Sequence, residues 1–203
     1  MTQKTFISKN DNFSWNFLNY PIYTISQKPK EVKRDIAILL IHGFGASTDH
    51  WRFNIPILAS KFEVHAIDLL GFGKSPKPND VEYSGSLWKD QVVAYVKERI
   101  KKPTIVVGNS LGGYAALAAG AELQNLSAGV ILLNAAGYFS EEKLGKKNML
   151  QTSIETVAGI FLKNIVLQRL IFENMRKPST IKKTLNQVYI NQKNVDDFLV
   201  DSI

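Results

Sequence analysis

Cysteine is absent from the chain, which excludes disulfides, thiolate metal sites and a cysteine nucleophile. Histidine is scarce: there are three, His42, His50 and His65, all in the first third. The opening residues, MTQKTFISKNDNFSWN, hold no apolar run followed by a small-residue cleavage site, so a secretory leader is not expected. No long uninterrupted apolar stretch is present either. The strongest, Ile154 to Phe172, is broken by Glu155, Lys163 and Arg169, which makes it a poor membrane span. These absences together point to a reducing compartment, the cytoplasm or, for a plastid protein, the stroma. No metal ion and no organic cofactor is expected.

What the chain does contain is ordinary for a globular protein: hydrophobic residues are 45% and charged residues 21% of 203. That length suits one domain with room for an inserted lobe. The net charge of +7 raises nucleic acid as a partner. However, the excess is spread along the chain, with +3 in residues 141–203 and +4 in the rest. An even spread describes a solvated surface, and no nucleic-acid partner is expected.

Hydrophobic patterning supplies the architecture. Phe13 to Ile25 mixes aromatic and β-branched residues with turn formers, and reads as a short hairpin. The stretch QKPKEVKRD is a charged loop. Ile36 to Ile41 is a continuous apolar run ended by His42-Gly43, the mark of a strand covered on both faces. A short helix is predicted over Trp51 to Ala59 and a strand over Val64 to Asp68, followed by a Gly/Pro-rich loop to Pro78. Trp88, Val92, Tyr95, Val96 and Ile100 recur at helical spacing until Pro103. A strand over Thr104 to Val107, a helix over Leu111 to Leu123 and a strand over Val130 to Leu133 complete the series. Short apolar strands alternating with helices predict an α/β fold, a mostly parallel sheet with helices on both faces. After Ala136 the periodicity is helical throughout. The expected division is therefore 1–137 as the α/β core and 138–203 as a helical segment.

Three motifs fall at strand ends. Gly108-Asn109-Ser110-Leu111-Gly112 stands between a buried strand and an apolar helix. A serine hydroxyl is a weak nucleophile and must stand clear of the sheet; a sharp strand-to-helix turn achieves this, and the flanking glycines relieve the crowding. The helix N-terminus also favours negative charge developing there. His42-Gly43-Phe44-Gly45 follows the first buried strand at the same end of the sheet. Acyl transfer develops an oxyanion that needs backbone N–H donors, and Phe44 and Leu111 are positioned to supply them. His42 reads as a loop-structuring residue rather than a base. The third motif, Asp68 to Ser75, reads as a structural loop held by side-chain hydrogen bonds.

These motifs, in this order, resemble the α/β-hydrolase superfamily over nearly the whole chain. LLIHGFGASTDHWRFNIPILASKFEVHAIDLLGFGKSPKP resembles its cyanobacterial and plastid branch, similar to esterases acting on the phytol ester of chlorophyll derivatives. VVGNSLGGYAALAAGAE also resembles the elbow of hydrolases that cleave carbon–carbon bonds. The resemblance implies Ser110 as nucleophile, Phe44 and Leu111 as oxyanion donors, and 138–203 as a cap that selects substrate. It implies a carboxylic ester hydrolase acting on a small-molecule apolar ester. The alternatives are carbon–carbon bond hydrolysis and a non-catalytic ligand-binding homologue.

One part of the family pattern is not found. The family order is serine, then acid, then histidine, yet no histidine follows Ser110. The strand after the nucleophile helix ends in Asn134-Ala135-Ala136, not in an acid. Asp196, Asp197 and Asp201 lie in a helical segment. Without further strands, Val130–Leu133 would also be an unpaired apolar edge. The expectation from the sequence is therefore a fragment lacking its C-terminal strands, inactive as it stands.

Overall fold

The computed structural model describes residues 15–30, 35–136, 172–201 and 203. The chain divides into two compact units, Met1–Gly137 and Tyr138–Ile203.

In the first unit, β1 (Trp15–Phe17) and β2 (Tyr20–Ile22) form an antiparallel hairpin. Its two turn residues, Leu18 and Asn19, both have positive φ, 50° and 66°, the backbone that two-residue hairpins favour. Five strands make the main sheet: β3 (Thr24–Gln27), β4 (Ala37–Ile41), β5 (Glu63–Ile67), β6 (Thr104–Asn109) and β7 (Ser127–Leu133). Their spatial order is β3-β5-β4-β6-β7. The pairs β5–β4, β4–β6 and β6–β7 are parallel, whereas β3 pairs antiparallel with β5. The predicted hairpin region thus delivers one strand into the sheet itself.

The uninterrupted apolar run of β4 has a direct cause. Ala37, Leu39 and Ile41 face one core, packed with Trp88, Val92, Ala115 and Ala119. Ile38 and Leu40 face the other, packed with Trp51, Ile55 and Ala59. Both faces of the strand are dry, so neither register of the period-two pattern can be polar. A 3₁₀ turn (Thr48–Trp51) and α1 (Asn54–Ala59) replace the single helix predicted over Trp51–Ala59. Ser47 caps that turn by accepting the Asp49 N–H. Helix α2 (Gly85–Tyr95) is capped by Ser84 and runs into a wider π turn over Val96–Ile100, closed by left-handed Lys101. Helix α3 (Leu111–Glu122) buries Ala115, Ala116 and Ala119 completely.

Strand β4 lies between β5 and β6, and the segments leaving β4 and β6 go to opposite faces of the sheet: α1 packs in one core and α3 in the other. Such a reversal opens a crevice at the carboxyl ends of the two strands, the usual ligand position of an open α/β sheet. Ile41 pairs in register with Gly108, so the loops after β4 and β6 emerge side by side. Among the described residues β7 pairs with β6 alone, and Ile131, Leu132 and Leu133 are exposed.

In the second unit, α4 (Pro178–Val188) and α5 (Asp197–Asp201) pack Leu185, Val195, Leu199 and Val200 together. Among its described residues there is no strand. Residues 154–171 of the apolar stretch Ile154 to Phe172 lie outside the described residues.

Candidate active site

Ser110 occupies a sharp turn between β6 and α3 with φ 51° and ψ −117°. A non-glycine residue in this region stores roughly 1–3 kcal/mol of strain and persists only where its surroundings over-determine it. The end of β7 provides that constraint. The Ser110 N–H donates to the Leu133 carbonyl at 3.0 Å, and the Ala136 N–H donates to the Ser110 carbonyl at 2.9 Å. Asn109 Nδ2 donates to the same Leu133 carbonyl at 3.2 Å. The Gly113 N–H closes the first helical turn onto the Ser110 carbonyl at 2.9 Å. Gly108 and Gly112 face backbone: a Cβ on the first would strike the Gly112 carbonyl, and one on the second the carbonyls of Ile41 and His42. The glycines permit the close contact of β6, α3 and β4.

The loop after β4 lies directly against this turn. A Cβ on Gly43 would stand 3.1 Å from Asn109 Oδ1 and 3.2 Å from Ser110 Cβ. Residues 43–46 form a tight turn in which the Ala46 N–H donates to the Gly43 carbonyl at 3.3 Å. Gly45, at φ +66°, takes the left-handed position that such a turn requires. The structure therefore brings together Gly43, Asn109 and Ser110, with Phe44 next to Gly43 on its turn and Leu111 next to Ser110 at the start of α3. Among the described residues, neither the Phe44 nor the Leu111 backbone N–H has a hydrogen-bond acceptor. The Phe44 ring is 77% exposed and meets Phe72 edge-on at 5.3 Å.

The Asp68–Ser75 loop braces this arrangement. The buried Asp68 carboxylate accepts the N–H groups of Thr48 at 2.6 Å and Lys74 at 2.7 Å. Burial raises its pKa, and those two backbone donors counteract the rise. Ser75 Oγ donates to the Asp68 carbonyl at 2.9 Å and accepts the Tyr23 N–H at 3.1 Å. Gln91, a residue outside the three sequence motifs, is completely buried. Its Oε1 accepts the Leu70 N–H at 2.9 Å and its Nε2 donates to the Asp68 carbonyl at 3.2 Å. Its signal was present: a polar residue three positions after Trp88 on the apolar stripe of α2 must be buried and therefore partnered. Trp88 Nε1 adds a bond to the Leu70 carbonyl at 3.0 Å.

None of the three histidines makes a hydrogen bond with Ser110. His42 is engaged at both nitrogens, with the Gly43 carbonyl at 2.7 Å and the Leu69 N–H at 3.0 Å. Burial brings its pKa down to about 4, opposed only by the bond to the Gly43 carbonyl. His65 lies in β5 with Nδ1 at 3.1 Å from the Tyr95 hydroxyl and Nε2 at 3.0 Å from Glu63. His50 ends the first turn beyond the loop; burial, reinforced by His42 and Arg52, lowers its pKa to about 4. Among the described residues no cluster of three or more His, Asp or Glu could hold a metal, and no helix is long and apolar enough to cross a membrane.

A serine on a strained strand-to-helix turn beside a glycine-rich loop, at the reversal point of a mostly parallel sheet, defines a class of fold and site. The alpha/beta hydrolase fold family matches residues 36–196, and the chain belongs to it. It is 29% identical over 194 residues to chloroplastic pheophytinase of Arabidopsis thaliana, covering 79% of this chain and 40% of that protein. It is 37% identical over 112 residues to the 2-hydroxy-6-oxo-6-(2'-aminophenyl)hexa-2,4-dienoic acid hydrolase of Metapseudomonas resinovorans, covering 51% of this chain and 37% of the relative. The chain thus spans well under half of either relative. Among solved structures, a bacterial membrane phospholipase A matches with TM-score 0.61 and 26% identity, over 83% of this chain and 48% of the other. Cfl2 of Burkholderia cenocepacia matches with TM-score 0.70 and 19% identity, over 91% and 61% of the two chains. At that identity the likeness is one of fold.

Proposed function

We propose that Ser110 is the nucleophile of a serine hydrolase acting on a small-molecule apolar carboxylic ester through an acyl-serine intermediate. The observation that carries this reading is the strained backbone of Ser110 beside the Gly43–Gly45 turn, where the Phe44 and Leu111 N–H groups have no hydrogen-bond acceptor among the described residues. In the proposed step, Ser110 Oγ attacks the ester carbonyl carbon, and the carbonyl oxygen becomes an oxyanion held by the N–H groups of Phe44 and Leu111. Collapse expels the alcohol, and water then releases the acid. The proton of Ser110 must pass to a base. His42 and His65 are committed elsewhere, and the family's order puts acid and histidine after the nucleophile. We therefore propose that the 203 residues carry the nucleophile and oxyanion hole but no positioned base. The helical segment 138–203 is proposed as the substrate-selecting cap, and the cytoplasm or plastid stroma as the location. The match to chloroplastic pheophytinase supports the plastid-type branch of the family.

A second reading, carbon–carbon bond hydrolysis, draws support from the 37% identity to a hydrolase of a ring-fission product. Assaying p-nitrophenyl esters and a vinylogous diketone side by side, with imidazole supplied as base, separates the two. Ester turnover that disappears in Ser110→Ala supports the esterase; turnover of the diketone alone would overturn it.

A further inference from the structure

We infer that His42 is a positioning residue: as a neutral imidazole protonated at Nδ1, it fixes the Gly43–Phe44 peptide and thereby aims the Phe44 N–H. The inference rests on the reading of Phe44 as an oxyanion donor. The tautomer follows from the partners. The Leu69 backbone N–H can only donate, so His42 Nε2, 3.0 Å away, must present a lone pair. The proton of a neutral ring is then on Nδ1, which faces the Gly43 carbonyl at 2.7 Å, a group that can only accept. Only this protonation state satisfies both bonds at once. The imidazolium would set two N–H donors against each other at Leu69, and burial disfavours it in any case.

The consequence for the site comes from peptide geometry. A trans peptide is planar, with its C=O and N–H pointing in opposite directions. The Gly43 carbonyl is directed at the His42 ring, so the Phe44 N–H leaves the other side of that plane. The second bond on the carbonyl, from the Ala46 N–H at 3.3 Å, is longer and belongs to a turn containing a left-handed glycine. His42 is therefore the shorter and stiffer restraint. Its own ring is fixed from behind: Leu69 sits in the loop that Gln91 and Trp88 pin at Leu70, and the Phe72 ring meets His42 at 5.8 Å and Phe44 at 5.3 Å. Rigidity thus passes from the core of α2, through His42, to Gly43, where an added Cβ would stand 3.2 Å from Ser110 Cβ.

Two isosteric variants separate the two bonds. The amide nitrogen of Asn stands where Nδ1 stood, so His42→Asn keeps the donation to Gly43 and loses Leu69. The amide oxygen of Gln reaches the Nε2 position, so His42→Gln keeps Leu69 and loses Gly43. On the 203-residue chain, long-range ¹H–¹⁵N spectra at pH 7 should show His42 as the neutral Nδ1–H tautomer. The Phe44 amide resonance should stay in place in His42→Asn and move in His42→Gln, with the Leu69 amide doing the reverse. The rate of Ser110 phosphonylation, measured with imidazole present, should fall about 10-fold or more in His42→Gln and under about 3-fold in His42→Asn, part of what losing a whole oxyanion donor costs. An Nε2–H tautomer, or equal displacement of Phe44 in both variants, would overturn the inference. If the wild-type chain is not phosphonylated at all, Ser110 as nucleophile fails, while the spectra still decide the role of His42.

Discussion

Lowering the pH from 7 to 4 should destabilise the first unit through His42, and the size of the effect can be worked out. The folded ring has its pKa brought down to about 4 by burial, against about 6.5 in an unfolded chain. Between those values the unfolded state binds a proton that the folded state refuses, so stability rises with pH across this window and falls as pH drops through it. Above about pH 6.5 the contribution is complete, and below about pH 4 nothing further is lost. A gap of about 2.5 units corresponds to about 3 kcal/mol, a large share of the roughly 5–15 kcal/mol typical of a domain. His50 titrates in the same direction, so the comparison must isolate His42. The variant His42→Asn does so by removing one titrating ring while keeping the donation to Gly43. Trp15, Trp51 and Trp88 are all buried in the first unit, so tryptophan fluorescence during urea unfolding reports that unit specifically. The stability lead of wild type over His42→Asn should shrink by about 3 kcal/mol between pH 7 and pH 4. A lead that does not change with pH would refute the argument that His42 is held neutral in the fold.

Other substitutions test the bracing of the site. Gln91→Leu strands the buried Leu70 N–H and removes one donor from the Asp68 carbonyl. The Asp68 carbonyl keeps Ser75 Oγ, so one group is left unsatisfied; the variant should cost about 1–3 kcal/mol in urea unfolding, and a loss under about 1 kcal/mol would contradict it. Gly43→Ala puts a methyl 3.1 Å from Asn109 Oδ1 and 3.2 Å from Ser110 Cβ, so the loop must withdraw by a few tenths of an ångström. Stability should change by only about 1 kcal/mol, while phosphonylation of Ser110 slows at least about 10-fold; an unchanged rate would mean the loop does not serve the serine.

The parts of this molecule legible in its sequence are those set by local pattern. The continuous apolar run before His42 demanded a strand with both faces covered, and β4 lies in two cores at once. The glycines around Ser110 demanded a crowded turn, and they meet backbone on both sides. Long-range pairing was less legible. Nothing in Thr24–Gln27 says that it pairs antiparallel with β5, because a four-residue strand carries no mark of its partner. The 3₁₀ turn and α1 merged in the sequence because both bury apolar residues on one face. The brace from the end of β7 to Ser110 uses the carbonyl of Leu133 and the N–H of Ala136. Main-chain groups are common to every residue and leave no trace in side-chain chemistry. His42 was recognisable as a loop residue, but its tautomer depended on Leu69, 27 positions away.

The central claim, that Ser110 is a nucleophile set in an oxyanion hole without a positioned base in this chain, is tested most directly by covalent labelling. The 203-residue protein is exposed to a fluorophosphonate, and the adduct is measured by intact mass and located by peptide mapping, with and without added imidazole. Loss of a triad member commonly leaves about 10³–10⁴-fold acceleration over water. Labelling should therefore be slow alone, accelerate with imidazole concentration, map to Ser110 and vanish in Ser110→Ala. Rapid stoichiometric labelling of Ser110 without imidazole would show that a base lies within the chain, and labelling at any other residue would contradict the assignment of the nucleophile.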